Sequence, residues 1–141
     1  MNATTAKGRP VPVPSPLTQP YWDACARGEL AIQRCTACAR LVHFPEPTCP
    51  YCGGTDLPYE TVSGRGVVHT FTVVHRSFLP GFSVPYVVAW IDLDEGARAF
   101  GDVVGCRPED VRIGLPVRVC FDELPARSDQ YSGPIPRWRP A

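Results

Sequence analysis

The sequence predicts a mainly β protein in which an N-terminal short helix and a rubredoxin-like zinc ribbon precede a small OB-fold β-barrel. The ribbon is indicated by four of the seven cysteines, which form two close pairs between residues 35 and 52. The barrel is indicated by short apolar segments that alternate with turn residues from residue 59 onward. The 17 prolines and 12 glycines in 141 residues fit many turns and short strands better than long helices.

The charge balance limits the partners of this chain. Fourteen basic residues balance fourteen acidic ones, so no overall positive field attracts nucleic acid or an anionic membrane, although a local patch remains open. No stretch approaches the ~20 apolar residues of a membrane span, and residues 1–20 lack the apolar core of a signal peptide. We therefore expect a cytoplasmic protein without membrane contact. In that reducing compartment, an odd number of cysteines favours metal binding over disulfides.

The composition divides the chain into four parts. Prolines at every second position from Pro10 to Pro16 are typical of an extended or disordered arm. We expect a disordered Pro-rich arm, a helix plus zinc ribbon, an OB-fold barrel and a C-terminal tail, at residues 1–17, 18–58, 59–125 and 126–141.

A short helix is predicted between Thr18 and Gly28. Thr18 can cap its first turn, where Pro20 is tolerated, and Gly28 ends it. A helix of this length is marginal alone, so its apolar face must pack on the rest of the chain. That face carries Tyr21, Trp22 and Cys25.

The two cysteine pairs predict a zinc site. A short strand with Leu30 and Ile32 on one face leads into the first pair. The spacing is Cys-x2-Cys, ten residues and Cys-x2-Cys, and two such turns facing each other supply the tetrahedral thiolate shell that zinc takes at ~2.3 Å per bond. Gly53 and Gly54 suit the second turn, where a positive φ is needed. We expect one zinc ion bound by Cys35, Cys38, Cys49 and Cys52.

This ion is predicted to be structural. Four thiolates close the coordination shell, whereas a catalytic zinc keeps a position open for water. His43 and Glu46 lie between the pairs, but the sulfurs already satisfy the metal, so we interpret His43 as a surface or packing residue. The other thiols are interpreted as small buried apolar side chains rather than nucleophiles: Cys25, Cys106 and Cys120.

A β-hairpin is predicted after the ribbon. Residues 66–75 alternate as a long strand, and a wide loop rich in Phe, with a turn signal at Pro80-Gly81, leads to a second strand at residues 86–92. Strict alternation places Val67, His69, Phe71 and Val73 on one face of the first strand.

Two further strands complete the predicted barrel. They lie at residues 97–104 and 117–121, with a single helical turn beginning at Pro108 between them. Four or five short antiparallel strands with one helical turn before the last suit an OB-fold barrel, and closure also protects the strand edges. A small sandwich is the competing architecture.

An ordered run of motifs resembles one family over roughly residues 20–141. These motifs are Tyr21-Trp22 before Gly28, Leu30 to Cys35, His43-Phe44-Pro45, Cys49-Pro50-x-Cys52, Val62 to Gly66, Thr70 to His75, Pro85 to Val88, Asp110 to Val117 and Pro136 to Pro140. The chain thereby resembles the acyl-CoA-associated zinc-ribbon and OB-fold family catalogued as domain of unknown function 35. Its four zinc-binding cysteines all match, Trp138 stands where the family usually has Phe, and the Pro-rich arm has no counterpart.

The resemblance implies a supporting role. Members of this family look like partners of thiolase-superfamily enzymes, including thiolases, acyltransferases and thiolase-like aldolases, and the partner carries the catalytic residues. We therefore expect a non-catalytic accessory subunit that joins a thiolase-like partner and helps to hold its acyl-CoA. The main alternative is a single-stranded nucleic-acid-binding protein, since zinc ribbons and OB-folds both serve that purpose. A free-standing enzyme using His75 or a lone cysteine is a third hypothesis.

Two sets of candidate residues accompany this role. If the barrel helps to hold CoA, the phosphates need cations, and we expect them from Arg65, His75 and Arg76 near the Phe-rich loop. Trp138 between Arg137 and Arg139 has the composition of an interface hot spot. The C-terminal segment is thus predicted to be a docking element, with Trp138 either in a pocket of the partner or against its own barrel.

Overall fold

The computed structural model describes residues 10–79, 81–123 and 131–141. Within these residues the elements are α1 Gln19–Ala26, β1 Leu30–Arg34, β2 Leu41–Val42, β3 Tyr59–Val62, β4 Arg65–Val74, β5 Tyr86–Leu93, β6 Arg98–Val103, a 3-10 turn Pro108–Asp110, β7 Pro116–Glu123 and β8 Pro134–Pro140. Strands β2-β1-β3 form a small antiparallel sheet, and β4-β5-β6-β8-β7 form a closed barrel. The predicted fold class is confirmed, and the sandwich is not formed. Residues 1–9 of the predicted arm, Pro80 of the turn signal and residues 124–130 of the predicted barrel end and tail lie outside the described residues.

Helix α1 begins after Thr18, but the Thr18 side chain does not cap it. The Thr18 hydroxyl instead accepts a hydrogen bond from the Ser15 backbone N–H at 2.9 Å, because the arm turns back onto the helix start there. The predicted capping role is therefore wrong. The helix end is as predicted, since Gly28 has a φ of 76°, which favours glycine.

Strand β4 contains a β-bulge at His69. Val68 and Thr70 lie opposite consecutive residues of β5, so His69 is an extra residue between them. Val68 faces the core before the bulge, whereas Phe71 and Val73 face it afterwards. A period-two pattern cannot reveal an inserted residue, so the prediction of one shared face is wrong for Val67, His69, Phe71 and Val73.

The proline-rich C-terminal segment pairs as strand β8. In a strand, the backbone N–H and C=O groups of successive residues point to opposite neighbouring strands. The Trp138 carbonyl accepts a hydrogen bond from the Val104 N–H beside β6 at 2.7 Å, whereas the Ala141 N–H donates to the Pro116 carbonyl beside β7 at 3.0 Å. The β8 prolines each lie an even number of residues from Trp138, so their backbone nitrogens, which carry no N–H, face β6. The ladder with β7 keeps its donors, which is why this segment can pair despite its prolines.

Trp138 lies in the barrel core with 1% of its surface exposed. A Cβ added at Gly101 would lie 3.0 Å from the Trp138 ring, so the glycine of β6 leaves room for the indole. Of the two locations open from sequence, Trp138 occupies its own barrel. The docking role predicted for Trp138 is therefore wrong. The predicted assignment of residues 134–140 to a tail outside the barrel is also wrong, because these residues form a barrel strand.

Arg137 ties β8 to both of its neighbours. Its guanidinium donates to Asp102 of β6 at 2.7 Å and to Asp122 of β7 at 3.1 Å. Charge-assisted bonds of this kind fix geometry as well as adding stability. The partner-binding roles of Arg137 and Arg139 stay predictions.

One hydrophobic core joins the small sheet to the barrel. Leu30, Ile32, Leu41 and Val62 of the sheet pack in the same buried cluster as the inward side chains of β4 to β8. The ribbon therefore has a fixed position against the barrel. Within the described residues, no helix has the length and apolar character needed to cross a membrane.

We predict that Trp138→Ala lowers the free energy of unfolding by about 3–5 kcal/mol, since it leaves a large cavity in the barrel. Chemical denaturation followed by circular dichroism measures this change. Trp90→Ala is the control, because Trp90 is 36% exposed and should cost about 1 kcal/mol or less. Equal losses in the two variants would contradict the closing role of β8.

Candidate functional site

The four predicted cysteines meet at one point of the ribbon. Their sulfur atoms all lie within 4.8 Å of one another, with 3.6 Å between Cys35 and Cys52 and 3.7 Å between Cys38 and Cys49. Four sulfurs at ~2.3 Å from a central zinc form a tetrahedron with edges of about 3.8 Å. The geometry and the all-thiolate donor set fit one structural zinc ion, which would hold the two turns together.

The two cysteine turns share one backbone design. In each, the carbonyl of the first cysteine accepts a hydrogen bond from the residue four positions later, which is Ala39 or Gly53. Both residues have positive φ, at 66° and 80°, as expected for Gly53. A Cβ at Gly54 would lie 3.1 Å from the Cys35 sulfur, so this glycine leaves space beside the metal ligands.

Gln33 fixes the segment that links the cysteine pairs. Its side chain is 3% exposed, donates to the Glu46 carbonyl at 3.0 Å and accepts from the Glu46 N–H at 2.7 Å. A buried amide with both ends paired is a strong positional constraint. The role of Gln33 was not predicted, because the residue pattern of β1 gives no sign that both of its faces are covered.

An apolar groove of about 600 Å³ lies where α1, the ribbon and the barrel meet. Its wall includes Pro10 and Pro12 of the arm and Ile135 and Pro136 of β8. Half of the remaining lining residues are aromatic, and Asp102 and the imidazole of His43 are among the few polar groups. Ligand sites in proteins commonly combine an apolar lining with a few polar groups in this way. The aromatic lining is formed by Tyr21, Trp22, Phe44, Phe82, Tyr86 and Phe100.

His43 packs within this groove and is not one of the clustered metal ligands. Its ring stacks on Tyr21 with a centroid distance of 5.6 Å, in agreement with the packing role considered from sequence. Burial lowers the pKa of His43 to about 4, so the imidazole is neutral near pH 7. Its Nδ1 atom is buried and has no hydrogen-bond partner.

An exposed row of aromatic side chains borders the groove. Trp90 lies between Phe44 and Phe100 on the surface, with its ring centroid 5.9 Å from that of Phe44 and 4.9 Å from that of Phe100. Their exposed fractions are 52%, 36% and 45%, which is unusual for large aromatic residues on a free surface. Alternation in β5, where Ala89 and Ile91 face inward, could have indicated that Trp90 faces outward.

The structure separates the predicted CoA-binding residues. Arg65 begins β4, whereas His75 and Arg76 follow its other end, about 30 Å away at 3.3 Å per residue. Arg76 lies over the Phe78 ring in the loop, 5.6 Å from its centroid, while Arg65 lies opposite Arg118 of β7. One phosphate site cannot be formed by all three residues, and the contribution of each to CoA binding stays a prediction.

The thiol of Cys25 is held in its neutral form. Its side chain is fully buried under α1, and burial raises the pKa of Cys25 to about 12. Burial also raises the pKa of Cys106. Raised pKa values disfavour the thiolate that a nucleophile requires.

We predict that Cys38→Ser removes the zinc and unfolds the two cysteine turns. The barrel should survive, because a separate buried cluster surrounds the sulfurs, formed by Cys35, Val42 and Cys49. Metal analysis should fall from one zinc per chain to none, and amide exchange should rise in residues 35–54 only. Retained zinc, or iron in the wild-type chain, would contradict the assignment.

A second prediction concerns pH. Burial lowers the pKa of His43 from ~6.5 in the unfolded chain to about 4 in the folded chain. The unfolded chain therefore binds a proton first as the pH falls, so the free energy of unfolding decreases between pH ~6.5 and about 4. His43→Phe keeps an aromatic ring on Tyr21 but removes this titration. The wild-type chain should therefore lose on the order of 2 kcal/mol more than the variant across this range. Urea unfolding of both with excess zinc measures the difference, and parallel pH profiles would refute the burial argument.

Comparisons with known proteins agree with both halves of the fold. A family model described as "ChsH2, rubredoxin-like zinc ribbon domain" matches residues 22–58. A second, described as "ChsH2, C-terminal OB-fold domain", matches residues 59–122.

Curated relatives of this chain include one much longer protein and several of similar length. The chain is 39% identical over 121 residues to a "Probable enoyl-CoA hydratase alpha subunit" of Thermomonospora curvata, covering 86% of this chain but 36% of that one. It is 41% identical over 101 residues to a "DUF35 domain-containing scaffold protein" of Methanocaldococcus jannaschii, covering 68% and 70%. It is 30% identical over 105 residues to "Benzoylsuccinyl-CoA thiolase subunit BbsA" of Geobacter metallireducens, covering 70% of each. The chain thus spans about a third of the hydratase subunit and most of the smaller relatives.

A solved structure shows the same architecture. It is titled "Ltp2-ChsH2(DUF35) aldolase", and one of its chains superposes with a TM-score of 0.80 at 35% identity, covering 92% of this chain and 98% of that one. The chain therefore belongs to the DUF35 family, with a ChsH2-type zinc ribbon and OB-fold barrel.

Proposed function

We propose that this chain is a non-catalytic accessory subunit that binds and supports a thiolase-superfamily enzyme acting on acyl-CoA. The observation that carries the proposal is the similarity, over nearly the full length of both chains, to a chain of the Ltp2-ChsH2(DUF35) aldolase. The names of two relatives, a hydratase alpha subunit and a benzoylsuccinyl-CoA thiolase subunit, describe parts of enzymes for CoA substrates. This pattern supports a subunit role for the present chain.

The exposed aromatic row supplies a surface for such a partner. Phe44, Trp90 and Phe100 present three adjacent rings to solvent, and burial of large aromatic side chains provides much of the binding energy at protein interfaces. Because Trp90 and Phe100 lie on paired strands of the barrel, the surface is rigid. A partner that covers it would pay little ordering entropy.

The adjoining groove supports a share in holding the substrate. Its apolar lining suits the acyl or pantetheine part of a thioester, and it opens beside the aromatic row, since Phe44 and Phe100 belong to both. A partner bound to the row would therefore lie next to the groove. In this arrangement the accessory chain forms one wall of the substrate site, and the partner supplies the reacting groups.

The charges near the row do not favour nucleic acid. Bases can stack on exposed aromatic residues of OB-folds, but such sites also need unpaired cations for the backbone. Arg98 is paired with Asp92 at 2.7 Å, and Arg137 with Asp102 at 2.7 Å. These arginines of β6 and β8 are thus already paired with carboxylates.

We predict that the chain co-purifies with a thiolase-superfamily protein encoded in the same genome when the two genes are co-expressed. Trp90→Ala should weaken this association at least tenfold, as expected for a buried aromatic anchor. Ile113→Ala is the matched control, because Ile113 is 69% exposed and lies outside the row. Titration by biolayer interferometry measures both variants.

Two results would contradict the proposal. One is the absence of association with every thiolase-superfamily protein of that genome. The other is an equal loss of affinity in the Trp90 and Ile113 variants, which would remove the aromatic row from the interface.

A further inference from the structure

Three arginines lie side by side across the barrel. In the strand register, Arg65 of β4 lies opposite Arg118 of β7, and Arg118 lies opposite Arg139 of β8. Directly opposed residues of antiparallel strands have Cβ atoms about 4.5–5.5 Å apart. We call Arg65, Arg118 and Arg139 the arginine row.

All three side chains point away from the core. Their neighbours in the strands, Val117 and Trp138, are 1% exposed and face inward, so the alternate positions face outward. Arg65 and Arg118 are exposed, and Arg139 is half-buried. The row therefore presents three guanidinium groups on one face of the barrel.

Among the described residues, no carboxylate lies within ion-pair distance of the arginine row. Arg34, Arg98, Arg107 and Arg137 each lie within ion-pair distance of a carboxylate, whereas no such pair is formed by the row. Asp122 is close, but its carboxylate accepts from Arg137. The Cys120 side chain and the charge of Asp122 raise the pKa of Arg139, but the Arg139 Nε atom is buried without a hydrogen-bond partner.

This arrangement is electrostatically unfavourable in the free chain. Like charges directly opposite each other in a sheet are destabilising, and the buried Arg139 Nε lacks an acceptor. An anion with several oxygens placed over the row would offset the repulsion between the guanidinium groups. Guanidinium groups bind phosphate oxygens with paired, directional hydrogen bonds.

We infer that the arginine row is a binding site for the phosphate groups of a small ligand. Identifying this ligand as the nucleotide end of CoA rests on the proposed function. The position fits that identification, since Arg139 lies four residues along β8 from Ile135 of the groove, about 13 Å at 3.3 Å per residue. The row and the groove could then hold two parts of one thioester.

The test compares Arg118→Gln with Arg112→Gln in the full zinc-loaded chain. Arg118 is the centre of the row, whereas Arg112 is an exposed arginine outside it, and both variants lose one positive charge. Calorimetric titration uses CoA, 3′-dephospho-CoA, pantetheine and inorganic phosphate as probes. We expect CoA to bind the wild-type chain and pantetheine to bind more weakly. Arg118→Gln should weaken CoA about tenfold, the scale of one charge-assisted hydrogen bond, and Arg112→Gln less than twofold.

Thermal unfolding provides a second measurement, which uses inorganic phosphate in place of CoA. At equal ionic strength, phosphate should raise the melting temperature of the wild-type chain above its value in chloride. Arg118→Gln should melt higher than the wild type in chloride, because the central repulsion is removed. It should gain less from phosphate than the wild type, since only the general stabilising effect of this salt remains. Arg112→Gln should behave like the wild type in both salts.

Several outcomes would overturn the inference. No binding of any phosphate-bearing probe, or equal losses in the two variants, would exclude a phosphate site at the row. CoA binding no tighter than inorganic phosphate would overturn the assignment to CoA, and tighter binding of a short single-stranded oligonucleotide would assign the row to nucleic acid. Association with a thiolase-superfamily protein is measured separately, so failure of the proposed function is distinguishable from failure of this site.

Discussion

Burial of Trp138 against Gly101 is the contact on which the candidate binding surfaces depend. It seats β8 between β6 and β7 and so closes the barrel. Once β8 is in place, Ile135 and Pro136 form one wall of the groove, and Arg139 completes the arginine row. One buried side chain thereby positions two separate surfaces, since a strand fixed at one residue is fixed along its ladder.

The zinc ribbon contributes the other side of the groove. A four-thiolate zinc replaces the core that so few residues cannot form, and the paired amide of Gln33 holds the connecting segment at Glu46. His43 and Phe44 lie in that same segment, so the metal site and Gln33 together position their rings in the groove. A structural metal can therefore shape a binding surface without taking part in chemistry.

Local patterns predicted much of this structure. The cysteine spacing indicated the zinc ligands, and alternation with turn residues indicated four barrel strands, because both signals depend on neighbours in sequence. The fifth strand was not predicted, because prolines argue against strand pairing unless it is known which neighbouring strand their backbone nitrogens face. The bulge at His69 and the arginine row were also missed, because both arise from register between strands distant in sequence. For the same reason Arg65 was grouped with His75 and Arg76, which the fold places at the other end of β4.

Strand β8 should be part of the folded barrel before any partner binds. Amide hydrogen exchange of the isolated chain, read at single residues by NMR, tests this most directly. Val104 donates to the Trp138 carbonyl and Ala141 to the Pro116 carbonyl, so each amide reports the pairing of β8 with one neighbour. If β8 is paired in the isolated chain, the Val104 amide should exchange as slowly as the amides of the β4–β5 hairpin, and the Ala141 amide should be clearly protected. Exchange of both amides at unprotected rates, beside a protected hairpin, would contradict this pairing.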